Sequence, residues 1–251
     1  MSNDRKVEVI DLDNPSQSCT LPDFPSELHG AVGGFTSSGP MVCSGHYGRD
    51  DDYSGSGRTA DCYSLGIDGQ LFQKNELTLD TARFDASSIV TEDGKMIIIG
   101  GSYGNGRLAD TEIINVPESK TEDGFELPHD IDEHCSVLID STTVMVLGGI
   151  GGGAVTPLKS TYFINLETLQ VTPGPEMQEA RKEFGCAVFE HNQERFVIAA
   201  GGTVGSWPPT DSTELFNLNS KIWSRGKYLS RKSRLQNVSN SILIKSIFFE
   251  F

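Results

Sequence analysis

An all-β fold assembled from repeated small sheets is what this sequence predicts, and three observations predict it. First, apolar runs that end in glycine recur along the 251 residues at intervals of about fifty. Met96, Ile97, Ile98 and Ile99 lead into Gly100 and Gly101. Val144, Met145, Val146 and Leu147 lead into Gly148 and Gly149, and Phe196, Val197, Ile198, Ala199 and Ala200 into Gly201 and Gly202. A shorter copy, Pro40, Met41, Val42 and Cys43, reaches Gly45 through Ser44. Second, short β-prone segments flank every run. Third, 27 glycines and 11 prolines supply many turns, and a hydrophobic share of 37% suits half-buried strands better than one thick core.

The last copy shows the whole unit. Residues 185–189 form a first strand, 196–200 a second and 221–224 the start of a fourth. Between them, residues 213–217 alternate polar and apolar, as a half-exposed strand does. The earlier copies keep this order, with 30–32, 86–90 and 135–139 before their glycine-ended runs and 61–64, 111–115 and 161–165 after them. A four-stranded sheet cannot bury both faces by itself. Sheets packed against their neighbours around an axis bury one another, which is the β-propeller solution. The predicted boundaries within one domain, 1–251, are a half-blade at 5–22 and complete blades at 27–76, 84–127, 133–173 and 183–228. A partial or irregular blade follows at 229–251.

The pattern of glycine pair, then an aromatic or apolar residue in a Glu-x-aromatic-Asn strand, then Trp after the next turn resembles the kelch-repeat propellers. In the last copy these residues are Gly201, Gly202, Phe216 and Trp223. The copies are degenerate: Ile114 and Ile164 stand at the Phe216 position, and only the last copy carries the Trp. The Trp-Asp type of propeller is set aside, because the sequence has no Trp-Asp pair. The resemblance implies that the first strand of each blade lies innermost and the Trp223-type strand outermost. Glycine suits the pair positions because the backbone there must bend or pack closely.

The ends of the chain open two readings. Residues 7–12 match a third strand and 18–21 a fourth, whereas residues 230–232 repeat the approach to a first strand. Residues 242–249 are apolar and β-prone, with no glycine pair after them. In one reading the two half-blades pair and close a five-bladed ring, which removes exposed sheet edges. In the other the chain is part of a larger propeller and the tail is a substitute ending.

Bulk composition bounds the function. Twenty Lys and Arg against 35 Asp and Glu give a formal charge of −15, which disfavours nucleic acid and anionic membranes. No apolar signal-peptide core stands at the start and no stretch is long enough to span a bilayer. Five scattered cysteines, Cys19, Cys43, Cys62, Cys135 and Cys186, show no CxxC pair. That usage predicts buried thiols at Cys135 and Cys186, no disulfide or zinc framework, and a cytoplasmic location. The sequon at Asn237 carries little weight without a signal peptide.

Several local patterns have a plainer explanation than chemistry. Gly149, Gly151 and Ala154 satisfy a loose dinucleotide pattern, but Pro157 and Ser160 give no helix to receive a pyrophosphate. His129, Asp130, Asp132, Glu133, His134 and Cys135 are ligand-type residues, read here as a solvated loop before an innermost strand. Asp50, Asp51 and Asp52, with Asp61, lack the spacing of a calcium loop. No catalytic set is assembled by spacing, and no cofactor or metal is expected.

The loops after the glycine pairs carry the functional expectation, since the resemblance implies partner binding at that end of the propeller. They bring Tyr47, Arg49 and Tyr53 after Gly45, Tyr103 and Arg107 after Gly101, and Trp207 after Gly202. Tyr, Trp and Arg dominate interface energetics, and a loop aromatic has no repeat-imposed reason to be present. Arg83 and Arg181 stand at equivalent places before first strands, and with Phe216 and Trp223 they are read as structural. The expected function is non-enzymatic binding of a partner protein. By resemblance alone the context is a ubiquitin ligase or the cytoskeleton. The alternative is a carbohydrate-active or metal-dependent enzyme on a galactose-oxidase-like propeller.

Overall fold

A computed structural model describes residues 7–10, 14, 17–47, 57–65, 69, 71–104, 106–205 and 208–230. The described residues are all-β, with four four-stranded antiparallel sheets in chain order. The first consists of Val32–Thr36, Gly39–Cys43, Asp61–Leu65 and Phe72–Thr78. The second consists of Ser87–Val90, Lys95–Ile99, Asp110–Asn115 and Lys120–Glu126. Cys135–Asp140, Thr143–Leu147, Thr161–Asn165 and Gln170–Pro173 make the third. Gly185–His191, Glu194–Ala200, Thr213–Asn217 and Ile222–Arg225 make the fourth. In every sheet the strands lie side by side in sequence order.

The apolar runs are second strands, and their lack of alternation has a physical cause. Met96 and Ile98 face the first sheet, in a cluster with Val32, Met41 and Cys43. Ile97 and Ile99 face the third, in a cluster with Val144, Val146 and Ile164. Met145 and Leu147 in turn pack with Val197, Ala199, Phe216 and Trp223 of the fourth. A strand covered on both faces reads as a continuous hydrophobic run. Each large aliphatic side chain so enclosed contributes about 1.5–3 kcal/mol.

The first strands of successive sheets neighbour one another. They carry small side chains where they approach: Ser88 Oγ donates to the Gly33 carbonyl at 2.9 Å, and the Ser87 and Ser136 hydroxyls lie 2.5 Å apart. The outer face of the fourth sheet is also apolar, with Ala187, Ile198 and Ala200 joined by Phe189, Leu215 and Leu229.

The N-terminal hairpin, Val7–Ile10 with Ser18–Leu21, forms a two-stranded sheet. The C-terminal segment expected to pair with it lies outside the described residues. No helix among the described residues is long and apolar enough to cross a membrane.

Two expectations are corrected. Cys135 and Cys186 are not free thiols but a disulfide, and Cys43 and Cys62 form a second. Cys43 and Cys62 are directly opposite on adjacent strands, with Cα atoms 4.0 Å apart. Cys135 pairs with Leu147 and Cys186 with Ala199, one position apart in the register of their sheets, so the two side chains leave opposite faces of neighbouring first strands and meet, with Cα atoms 6.0 Å apart. Cys19 is free and exposed. The strand Thr213–Asn217 is also more enclosed than alternation predicts: Glu214 is 1% exposed because it answers a buried arginine.

Candidate interaction face

At the end of each second strand the backbone turns through a left-handed pair, Gly100 and Gly101, Gly148 and Gly149, or Gly201 and Gly202. Close approach enforces glycine at Gly149, where a Cβ would meet the Asp132 carbonyl oxygen at 2.5 Å. In the first sheet Ser44 takes the first place with φ 62, and its hydroxyl accepts the Arg83 N–H at 3.0 Å.

These turns lock each sheet to the next. The Gly45 N–H donates to Arg83 O at 2.7 Å, Gly101 N–H to Ile131 O at 2.8 Å, and Gly149 N–H to Arg181 O at 2.9 Å. A second file of bonds links the residues that precede the first strands. Glu183 N–H donates to Glu133 O, Glu133 N–H to Asp85 O, and Asp85 N–H to Gly30 O, each at 2.9 Å. All of these residues have positive φ.

Arg83 and Arg181 are fully buried and each anchors its own sheet. Arg181 donates to Gly201 O at 2.9 Å and Ser212 O at 3.2 Å, and pairs with Glu214 at 3.0 Å and Glu179 at 3.1 Å. Arg83 repeats this with Gly100 O at 3.0 Å, Asp110 at 2.8 Å and Glu112. In the third sheet Ile131 and Tyr162 hold the places of the arginine and glutamate, as the backbone bond from Gly101 and the pairing of Tyr162 with Val146 show. Tyr162 Oη instead meets His129 Nε2 at 2.9 Å. The replacement of glutamate by Tyr162 is legible when residues 161–165 are set beside 213–217, but the contact of Tyr162 with His129 is not.

Onto this frame the loops place the candidate residues. Tyr47 lies in a short strand, His46–Tyr47, paired with Leu28–His29. Its hydroxyl is 3.2 Å from Tyr63 Oη, and this hydrogen bond, aided by burial, pushes the Tyr63 phenol up to about 12. Tyr103 stands at a loop tip and is 47% exposed. Its N–H donates to Gly106 O at 3.0 Å, and Ser102 bridges to Arg107 across the loop base. Arg107 Nε is 2.7 Å from Asp132 Oδ1, while the Ser102 hydroxyl donates to Asp132 Oδ2. Arg58, from the first sheet's loop, lies against Gly104. The structure therefore brings Arg58, Tyr103 and Arg107 onto adjoining loops. Arg49, Tyr53 and Trp207 lie outside the described residues, as do Asp50, Asp51 and Asp52.

The ligand-type residues before the third sheet are dispersed to separate tasks. Asp130 accepts the Gly152 N–H at 2.7 Å, and Glu133 pairs with Lys182 at 2.6 Å. His134 is buried with Nε2 2.7 Å from Ser87 Oγ, and burial, with a smaller push from His129, lowers it to about 3. No group of three or more His, Cys, Asp or Glu among the described residues is arranged to hold a metal ion. Gly151 ends the short strand Ile150–Gly151, and the chain then turns through Gly152 and Gly153 without a helix.

Set against known proteins, the chain matches no family model, and no curated protein matches it either.

Proposed function

We propose that this chain is a β-propeller of the kelch type that acts by binding a partner protein through the loops after its glycine pairs, without catalysis. The four sheets, stacked in chain order with first strands adjacent, support the propeller. So does the apolar outer face of the fourth sheet, which suits cover by one more sheet. The observation that carries the binding role is Tyr103. It is 47% exposed on a loop braced at its base, beside Arg107 held by Asp132. A pre-ordered aromatic next to a guanidinium loses little freedom on binding.

The test is site-specific photo-crosslinking in cells, with a benzophenone amino acid at Tyr103 and, as control, at Thr168. A protein joined from position 103 alone, and lost when Arg107→Ala is added, is the expected outcome. Equal adducts from both positions would end the reading.

A further inference from the structure

The opposite end of the sheets carries the tight turns between first and second strands and between third and fourth strands. There the second and third sheets frame a cavity of about 350 Å³. Ile97, Ile113 and Leu166 line it together with Leu169, and Glu92, Asp93 and Glu167 add carboxylates. Among the described residues Lys95 is the one cation that lines it, with Nζ 3.2 Å from Asp93 Oδ2.

The next interface shows why this cavity exists. Between the third and fourth sheets, Arg195 Nη2 donates to Ile139 O at 2.5 Å, and Lys221 Nζ sits 5.5 Å above the Phe163 ring. Thr142 holds the place of Arg195 in the third sheet: Leu166 N–H donates to Thr142 O as Leu218 N–H donates to Arg195 O. A threonine is too short to repeat the reach of an arginine. Leu169 likewise holds the place of Lys221, last in its turn before the fourth strand. The gap that two cations fill at one interface is thus open and acidic at the other.

Leu169 adds an independent observation. It has φ 56 and is 44% exposed, whereas Ser119 and Lys221 take this left-handed place in the neighbouring sheets. The backbone conformation thus belongs to the repeated turn, and what sets Leu169 apart is a large apolar side chain left in reach of solvent where its counterparts are polar.

We propose that the cavity is a docking site for a partner peptide that inserts an arginine flanked by an apolar side chain. Its guanidinium takes the place that Arg195 fills at the next interface and meets the carboxylates of Glu92 and Glu167. Its apolar neighbour covers Leu169. The site is separate from the loops that carry Tyr103.

An array of fluorescein-labelled nonapeptides with a central Arg flanked by Leu, Ile or Phe tests this by anisotropy. Members of the array bind the wild-type protein, and their Arg→Glu counterparts do not. Thr142→Arg fills the cavity from within and weakens binding by about tenfold or more; Leu169→Ser weakens it severalfold. Tyr103→Ala leaves it unchanged. Thermal unfolding of both cavity variants checks that they fold, and Leu169→Ser reproduces the residue natural at Ser119. Absence of binding across the array, or equal binding by wild type and both folded variants, overturns the proposal. A wild-type dimer in sedimentation that Thr142→Arg abolishes also overturns it, because the occupant is then a second copy of this chain.

Discussion

Arg181 and Glu214 form an ion pair closed off from water, Nη2 to Oε1 at 3.0 Å with side-chain exposures of 0% and 1%. Glu214 also accepts the backbone N–H groups of Gln178 at 2.6 Å and Glu179 at 2.9 Å, so one carboxylate ties the approach segment of its sheet to the third strand. Removing Glu214 leaves the buried Arg181 with Glu179 as its remaining carboxylate and takes the acceptor from the Gln178 and Glu179 N–H groups. Glu214→Ala is expected to lower stability by about 3–5 kcal/mol, whereas the double change Arg181→Met with Glu214→Leu costs less than the single one. Urea unfolding of the three proteins checks the order.

The turn glycines separate crowding from backbone conformation. Gly149 has φ +84 and a Cβ there would meet backbone at 2.5 Å, while Gly153 has φ +77 and open space. Gly153→Ala is expected to cost about 1–2 kcal/mol from the left-handed backbone alone. Gly149→Ala costs clearly more, read as a larger drop in the urea midpoint.

His134 makes stability depend on pH in a stated direction. Its folded value is lowered to about 3 from an ordinary 6.5. Between those values the unfolded chain binds a proton that the folded one refuses. Stability from this group is therefore complete above 6.5 and falls as pH drops toward 3, by up to about 1.4 kcal/mol per pH unit. His134→Gln removes the dependence. Denaturant unfolding of both proteins at pH 7 and pH 5 should show the smaller decline in the variant.

The disulfides predict a thiol count. Of the five cysteines, one, Cys19, is free, so a denatured but unreduced sample should react with one equivalent of thiol reagent. Five equivalents would mean that neither bridge forms. Cys135→Ser with Cys186→Ser is expected to cost about 2–4 kcal/mol, measured by urea unfolding.

The sheets were legible because burial leaves a periodic trace. The run from Met96 to Ile99 lacks alternation since its side chains pack against both neighbouring sheets, and the glycines after it mark a turn too crowded for a Cβ. The equivalence of Arg83 and Arg181 was legible too, but their partners were not. Glu112 and Glu214 occupy polar places in strands that read as half-exposed, and only the arginines reaching beneath them explain their burial. Cys135 and Cys186 read as aligned in the repeat, but the strand register sets them one position apart, and that offset, which turns them toward each other, belongs to the packed sheets. In the loops, Arg107 read as a free contact residue; its bond to Asp132, 25 positions away, belongs to tertiary structure alone.

The bridge from Cys135 to Cys186 spans 51 positions and encircles nearly all of the third sheet, including Val155, which is 88% exposed at a turn. A protease that clips the chain at Val155 would therefore release nothing. The two pieces would migrate as one band until a reductant parts them, and damage at this outlying turn would stay silent in an oxidising medium.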